Sequence, residues 1–179
     1  PALGPMVLEY LESGLSASDA VASSIADENF PNYRQLLAID KNGNTCIHSG
    51  EMSLGIWTAT QGLCCAAGGN LLADVGVPQA MVEGFENTEG ALGDRLITAM
   101  QSGLNAGGEA GPLHSAGLLI VDTHGWPYAE LRCDWTEDCP ILMIAQAWKV
   151  YKPQANDYVT RALNPTDAVS YTHLTLPTT

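Results

Sequence analysis

Asn70 is the residue whose neighbours best equip it for chemistry, because it follows Gly68 and Gly69 at the end of an apolar run. Two glycines let the backbone turn sharply. A side-chain amide beside a backbone N–H suits the oxyanion that develops in acyl transfer. The Gly69-Asn70 pair fits an ordinary turn equally well, since Asn tolerates the left-handed conformation. A second pair, His114 and Ser115, lies where the glycine-rich stretch GGEAGPLHSAGLLIVD (Gly107 to Asp122) enters an apolar strand. Adjacent strand side chains point to opposite faces, so one of the two can line a cleft while the other packs. Arg34 can grip a substrate carboxylate in bidentate fashion, or form an ion pair with Asp134 or Glu130. Asp134, on the polar face of its strand, is open to a substrate-binding or a structural role.

Other chemistries lack their signatures. Cys46, Cys64, Cys65, Cys133 and Cys139 contain no CxxC pair and no zinc-site spacing. An odd, irregular set fits free thiols in a reducing, cytoplasmic compartment. Neither dinucleotide nor phosphate loops nor a GxSxG elbow occurs, and no metal or cofactor is expected. With 20 acidic residues against 7 basic and a net charge of -13, the chain would repel nucleic acid. No apolar run approaches the roughly 20 residues that span a bilayer. The expected partners are a small-molecule or peptide-like substrate, with a homo-oligomer left open. His48 reads as a strand-edge histidine and His124 as a solvent-exposed turn residue. Trp57, Trp126, Trp135 and Trp148 read as packing residues.

These side chains need a scaffold, and the pattern supplies one. Pro5 to Ser13 and Ser16 to Ala26 read as helices, the second opened by Ser16 and Asp19 as a capping box. Arg34 to Asp40 and Asn44 to Ser49 read as strands joined through Lys41-Asn42-Gly43, a strong hairpin signal. Glu51 to Gly62 reads as a loop, and Leu63 to Ala67 as a short apolar run. Pro78 opens a helix with Met81, Val82 and Phe85 inward. Ala91 to Ala106 forms another, with Leu92, Leu96, Met100 and Leu104 on its buried side. Ala116 to Val121 reads as a buried strand and Pro127 to Asp134 as its partner. Helices from Pro140 and from Asn156 to Leu163 follow. Helix pairs alternating with hairpins predict an α+β fold with antiparallel strands.

Five segments together carry a family resemblance: GPMVLEYLESGLSASDAV (Gly4 to Val21), RQLLAIDKNGNTCIHSG (Arg34 to Gly50), CAAGGNLL (Cys65 to Leu72), the Gly107 to Asp122 stretch, and WPYAELRCDW (Trp126 to Trp135). In this order they resemble the domain-of-unknown-function family 1028, whose members have the fold of N-terminal-nucleophile (Ntn) hydrolases. The resemblance implies a four-layer αββα sandwich with antiparallel sheets and a possible role as an amidohydrolase on a small amide or peptide-like bond. It also implies that a strand pair precedes the position of Pro1. In Ntn hydrolases the nucleophilic Thr, Ser or Cys heads that first strand, so this chain is expected to be an inactive fragment with exposed sheet edges. The alternative is a non-catalytic binding or assembly module on the same sandwich. Gly68, Cys64, Cys133, Thr136 and Cys139 depart from the residue types usual in relatives. One domain is expected over residues 1–167. The remainder, AVSYTHLTLPTT (Ala168 to Thr179), resembles a translated sequencing adapter and is expected to be foreign.

Overall fold

Ser16 starts its helix as the sequence predicts: its Oγ accepts the Asp19 N–H at 3.1 Å and donates to the Asp19 carboxylate at 2.8 Å. The computed structural model in which this cap is seen describes residues 2–166, so the Ala168 to Thr179 segment lies outside it. These residues form an α+β fold whose strands pair antiparallel as three two-stranded sheets. They fall into two compact units, one ending at His114 and the other beginning at Ser115.

The first unit opens with α1 (Leu3–Glu12) and α2 (Ala17–Ala26). A 3-10 turn at Pro31–Tyr33 leads into the hairpin of β1 (Gln35–Ile39) and β2 (Thr45–Ser49). Val7, Ala17, Ala20, Val21 and Ala38 form a buried cluster, with Leu36 and Cys46 packed against it. Leu36 and Ala38 therefore face the helices, while Gln35, Leu37 and Ile39 face the other way. On that other side lies a second hairpin, β3 (Ile56–Gly62) with β4 (Cys65–Leu72). A Cβ on Gly68 would contact Leu37 and Ala59, and Thr45 Oγ1 donates to Gln61 Oε1 at 2.8 Å. The outer face of the second hairpin carries α3 (Val77–Glu86), which packs on α4 (Leu92–Asn105). Glu86 closes this layer onto the β3–β4 turn by accepting the Leu63 N–H at 2.6 Å. The layer order within the unit is thus αββα.

The second unit holds the hairpin of β5 (Ala116–Val121) and β6 (Pro127–Cys133), then α5 (Pro140–Tyr151) and α6 (Ala155–Leu163). Leu118, Ile120, Ala129, Ile141, Ile144 and Trp148 are buried. Tyr151 Oη donates to the Tyr128 carbonyl at 2.6 Å, and burial pushes its phenol pKa up.

Four expectations need correction. Glu51 to Gly62 is not all loop, because β3 occupies Ile56–Gly62; its Thr-rich run pairs with the small residues of β4. β5 is buried on one face only, with Leu119 and Val121 exposed, since α5 covers a single side of the hairpin. The inward face of α4 is Gly93, Ile97, Ala99 and Gly103, and Leu92 is exposed; close packing on α3 selects small residues over the leucine row. Among the tryptophans only Trp148 is buried, while Trp126 and Trp135 are exposed. Trp126 instead stacks on the half-buried His124, with ring centroids 4.8 Å apart.

Two backbone-controlled positions give measurable consequences. A Cβ on buried Gly50 would overlap the Asn32 backbone, whereas Gly4 in α1 has open space around it. Gly50→Ala is expected to destabilise by about 2–4 kcal/mol. Gly4→Ala is expected to stabilise by roughly 0.5 kcal/mol. Chemical denaturation of both variants checks the pair. Asp40 gathers the β1–β2 turn: it accepts from the Asn44 side chain at 3.0 Å, from the Asn42 and Asn44 N–H groups at 2.8 and 3.1 Å, and from the Ala17 N–H at 3.5 Å. The Asn44 amide first, then the backbone donors, hold its carboxyl below the usual value. A depressed carboxyl stabilises above its unfolded pKa and loses that effect as pH falls through the folded value. Asp40→Ala should therefore lower Tm at neutral pH, with the gap to wild type closing below about pH 4.

Candidate functional site

The β3–β4 ladder is regular from the Gly62–Cys65 pair as far as Thr58–Gly69, then breaks. Its next pair is Ile56–Leu72, so Asn70 and Leu71 together stand opposite the single residue Trp57. This is a β-bulge, a device that re-aims a side chain and recurs beside active sites. Asn70 is therefore not in a turn after the strand, as its glycines suggested, but inside the strand at the bulge. Leu71 supplies the bend with φ +52°, a conformation that a residue bearing a Cβ seldom adopts and that costs on the order of 1–3 kcal/mol.

The surroundings hold this bend in place. Leu71 N–H donates to the Leu54 carbonyl at 2.9 Å, and the Leu71 carbonyl accepts from the Ala110 N–H at 2.8 Å. Ala73 N–H donates to the Gly108 carbonyl at 3.0 Å. The Gly107-Gly108 segment thus braces the end of β4, a role that its glycine-rich sequence did not disclose. The Asn70 side chain is exposed and hydrogen-bonds to no described residue. Leu54, Ile56 and Leu71, its neighbours along the bulge, are also exposed.

Behind the bulge lies the first residue of β1. Gln35 Nε2 donates to Ser49 Oγ at 3.0 Å and lies 3.4 Å from both the Thr58 and Gly69 carbonyl oxygens. Its one signal in the sequence is a polar residue on the same strand face as Leu37 and Ile39.

The remaining candidates are placed as follows. Arg34 pairs with Glu28 at 3.3 Å, and Asp134 pairs with Arg132 at 2.7 Å. The predicted alternatives for Arg34, Asp134 and Glu130, are replaced by this closer carboxylate. The Phe30 N–H, followed by Arg34, holds the Glu28 carboxyl below its usual value. Both partners of the Arg132–Asp134 pair are exposed, and such pairs contribute little to stability. His114 is half-buried at the end of the first unit, and Ser115 is exposed at the start of the second. His48 Nε2 lies 3.0 Å from the Pro31 carbonyl, the role expected of a strand-edge histidine. Burial, then the nearby Glu86 carboxylate, pushes the Cys65 thiol pKa up and leaves it a poor nucleophile. Among the described residues no group of three or more His, Cys, Asp or Glu side chains is arranged to hold a metal ion. No helix among them is long and apolar enough to cross a membrane.

A family model described as "Family of unknown function (DUF1028)" matches residues 1–143. The chain belongs to this family. The crystal structure of a family member, a protein from Silicibacter pomeroyi, is similar to it with a TM-score of 0.79 and 29% sequence identity. That likeness covers 87% of this chain and 67% of the other. No curated protein matches.

Proposed function

We propose that this chain carries the oxyanion-binding part of an amidohydrolase of Ntn type, acting on a small amide or peptide-like bond. The observation that supports this reading is the bulge at Asn70. A strained backbone holds an exposed amide that has no hydrogen-bond partner among the described residues. Such an amide is free to donate to a substrate, and strain of this kind gathers at functional sites.

In this reading the nucleophile is the N-terminal Thr, Ser or Cys of the full-length protein, with its own α-amine as base. Its oxygen or sulfur adds to the substrate carbonyl carbon, and the carbonyl oxygen becomes an oxyanion beside Asn70. The C–N bond then breaks as the departing amine takes up the proton from the α-ammonium. Water hydrolyses the resulting ester or thioester and restores the nucleophile. Asn70 Nδ2 donates to the oxyanion in both additions, with Gly69 allowing the backbone to approach closely. Leu54, Ile56 and Leu71 offer an apolar rest for the group flanking the scissile bond. Arg34, 44% exposed despite its pairing with Glu28, is the proposed contact for a charged end of the substrate. His114 is a secondary candidate for hydrogen bonding to it. No cofactor takes part.

The second reading, a binding or assembly module, is favoured by the exposed apolar residues Leu119 and Val121 on one face of β5. Surfaces of this kind mark interaction sites when they are contiguous. The two readings separate in one experiment on the full-length protein screened against an amide and dipeptide library. Asn70→Ala is expected to lower kcat by roughly 10²–10³-fold with Tm unchanged. Wild-type turnover in Asn70→Ala, or no turnover by the intact protein, would overturn the hydrolase reading.

A further inference from the structure

A trans peptide unit is planar, so the carbonyl of one residue and the N–H of the next point in opposite directions. None of the described peptide bonds is cis. Whatever fixes the Gly69 carbonyl therefore fixes the direction of the Asn70 N–H, and with it the root of the Asn70 side chain. The Gln35 amide sits 3.4 Å from that carbonyl oxygen. It is anchored in turn by Ser49 Oγ at 3.0 Å, its cross-strand neighbour in the Gln35–Ser49 pair. Its approach to the Thr58 carbonyl ties it to the last regular pair before the bulge, Thr58–Gly69. Gln35 thus spans the two hairpins of the first unit at the point where the β4 register breaks.

The location is not explained by packing alone. Leu37, on the same face of β1, meets the β4 glycines through its apolar side chain, and a Cβ on Gly68 would lie 3.3 Å from Leu37 Cδ2. An apolar residue at position 35 would satisfy such packing without touching the carbonyl groups. Placing a half-buried amide there instead costs desolvation unless its donors are used, and its NH₂ group has three oxygen atoms within reach.

We infer that Gln35 is a positioning residue: it orients the Gly69–Asn70 peptide, turning the Asn70 N–H away from its own amide so that backbone and side-chain donors of Asn70 act as one site. This deepens the hydrolase reading of Asn70 and rests on it for its catalytic consequence. Its structural consequence is independent of that reading.

The test uses the full-length protein with Gln35→Met, which keeps length and packing, Gln35→Asn, Asn70→Ala and the Gln35→Met/Asn70→Ala double variant. Gln35→Met is expected to lower kcat roughly 10- to 100-fold with little change in KM. Gln35→Asn should recover part of that loss. The double variant should be no slower than Asn70→Ala alone, because the two act through one interaction. Amide hydrogen exchange supplies a readout without substrate: the Thr58 and Gly69 N–H groups, at the last regular ladder pair before the bulge, should exchange faster in Gln35→Met at unchanged global stability. Loss of activity in Asn70→Ala with wild-type kcat and exchange in Gln35→Met would overturn this inference and leave the hydrolase reading standing. Wild-type activity in Asn70→Ala with faster Thr58 and Gly69 exchange in Gln35→Met would do the reverse. If Gln35→Met does not fold, Ser49→Ala, which frees the anchored end of the Gln35 amide, should still raise Thr58 and Gly69 exchange. Unchanged exchange there would also overturn the inference.

Discussion

Two hairpins can lie face to face in a narrow layer only where the side chains between them are small. In the first unit that condition is met by Gly68 and Ala59, which let Leu37 and Gln35 of β1 reach the surface of β4. The approach brings the Gln35 amide within 3.4 Å of the Gly69 carbonyl, so the bulge is held from behind by a polar contact. The helical layers then follow from alternation. Once Gln35 and Leu37 face inward between the hairpins, Leu36 and Ala38 must face α1 and α2. In the same way Ala67 faces outward to the α3 layer.

The same principle governs the outer helices. Gly84 and Gly103 sit where α3 and α4 cross, and a Cβ on either would run into Ser102 or Met81. Small residues allow the close approach, and the leucines that looked like the buried row rotate toward the edge of the contact. Arg95 closes the end of this helix pair by lying over the Phe85 ring at 3.9 Å while its Nε donates to the Phe85 carbonyl at 3.2 Å. A cation over an aromatic face adds about 0.5–2 kcal/mol, depending on how far it is desolvated.

Much of this architecture was legible along the chain. The Ser16 cap, the Asn42-Gly43 hairpin and the prolines near the starts of α3 and α5 are local signals, and the structure places elements where they stand. The site was legible in part. The glycines before Asn70 mark it in the sequence, but they suggest a turn where the structure has a bulged strand. The ladder that draws Gly68, Gly69 and Asn70 into β4 depends on pairing with Thr58 to Gly62, a stretch that has no strong strand signature alone. Gln35 leaves little local signal, because its partners, Ser49, Thr58 and Gly69, are 14, 23 and 34 residues away. Arg34 pairs neither with Asp134 nor with Glu130, because a carboxylate nearer in sequence, Glu28, sits within reach across the Pro31–Tyr33 turn.

The sequence by itself determined the fold class, the hairpins and helix starts, and the family, since each rests on residues close together in the chain or on motifs in register. Tertiary structure alone decided which face of each element is buried, where β4 ends and which amide stands behind Asn70. Those outcomes depend on which layers meet and how closely, and small residues set that distance without leaving a period that the linear pattern displays.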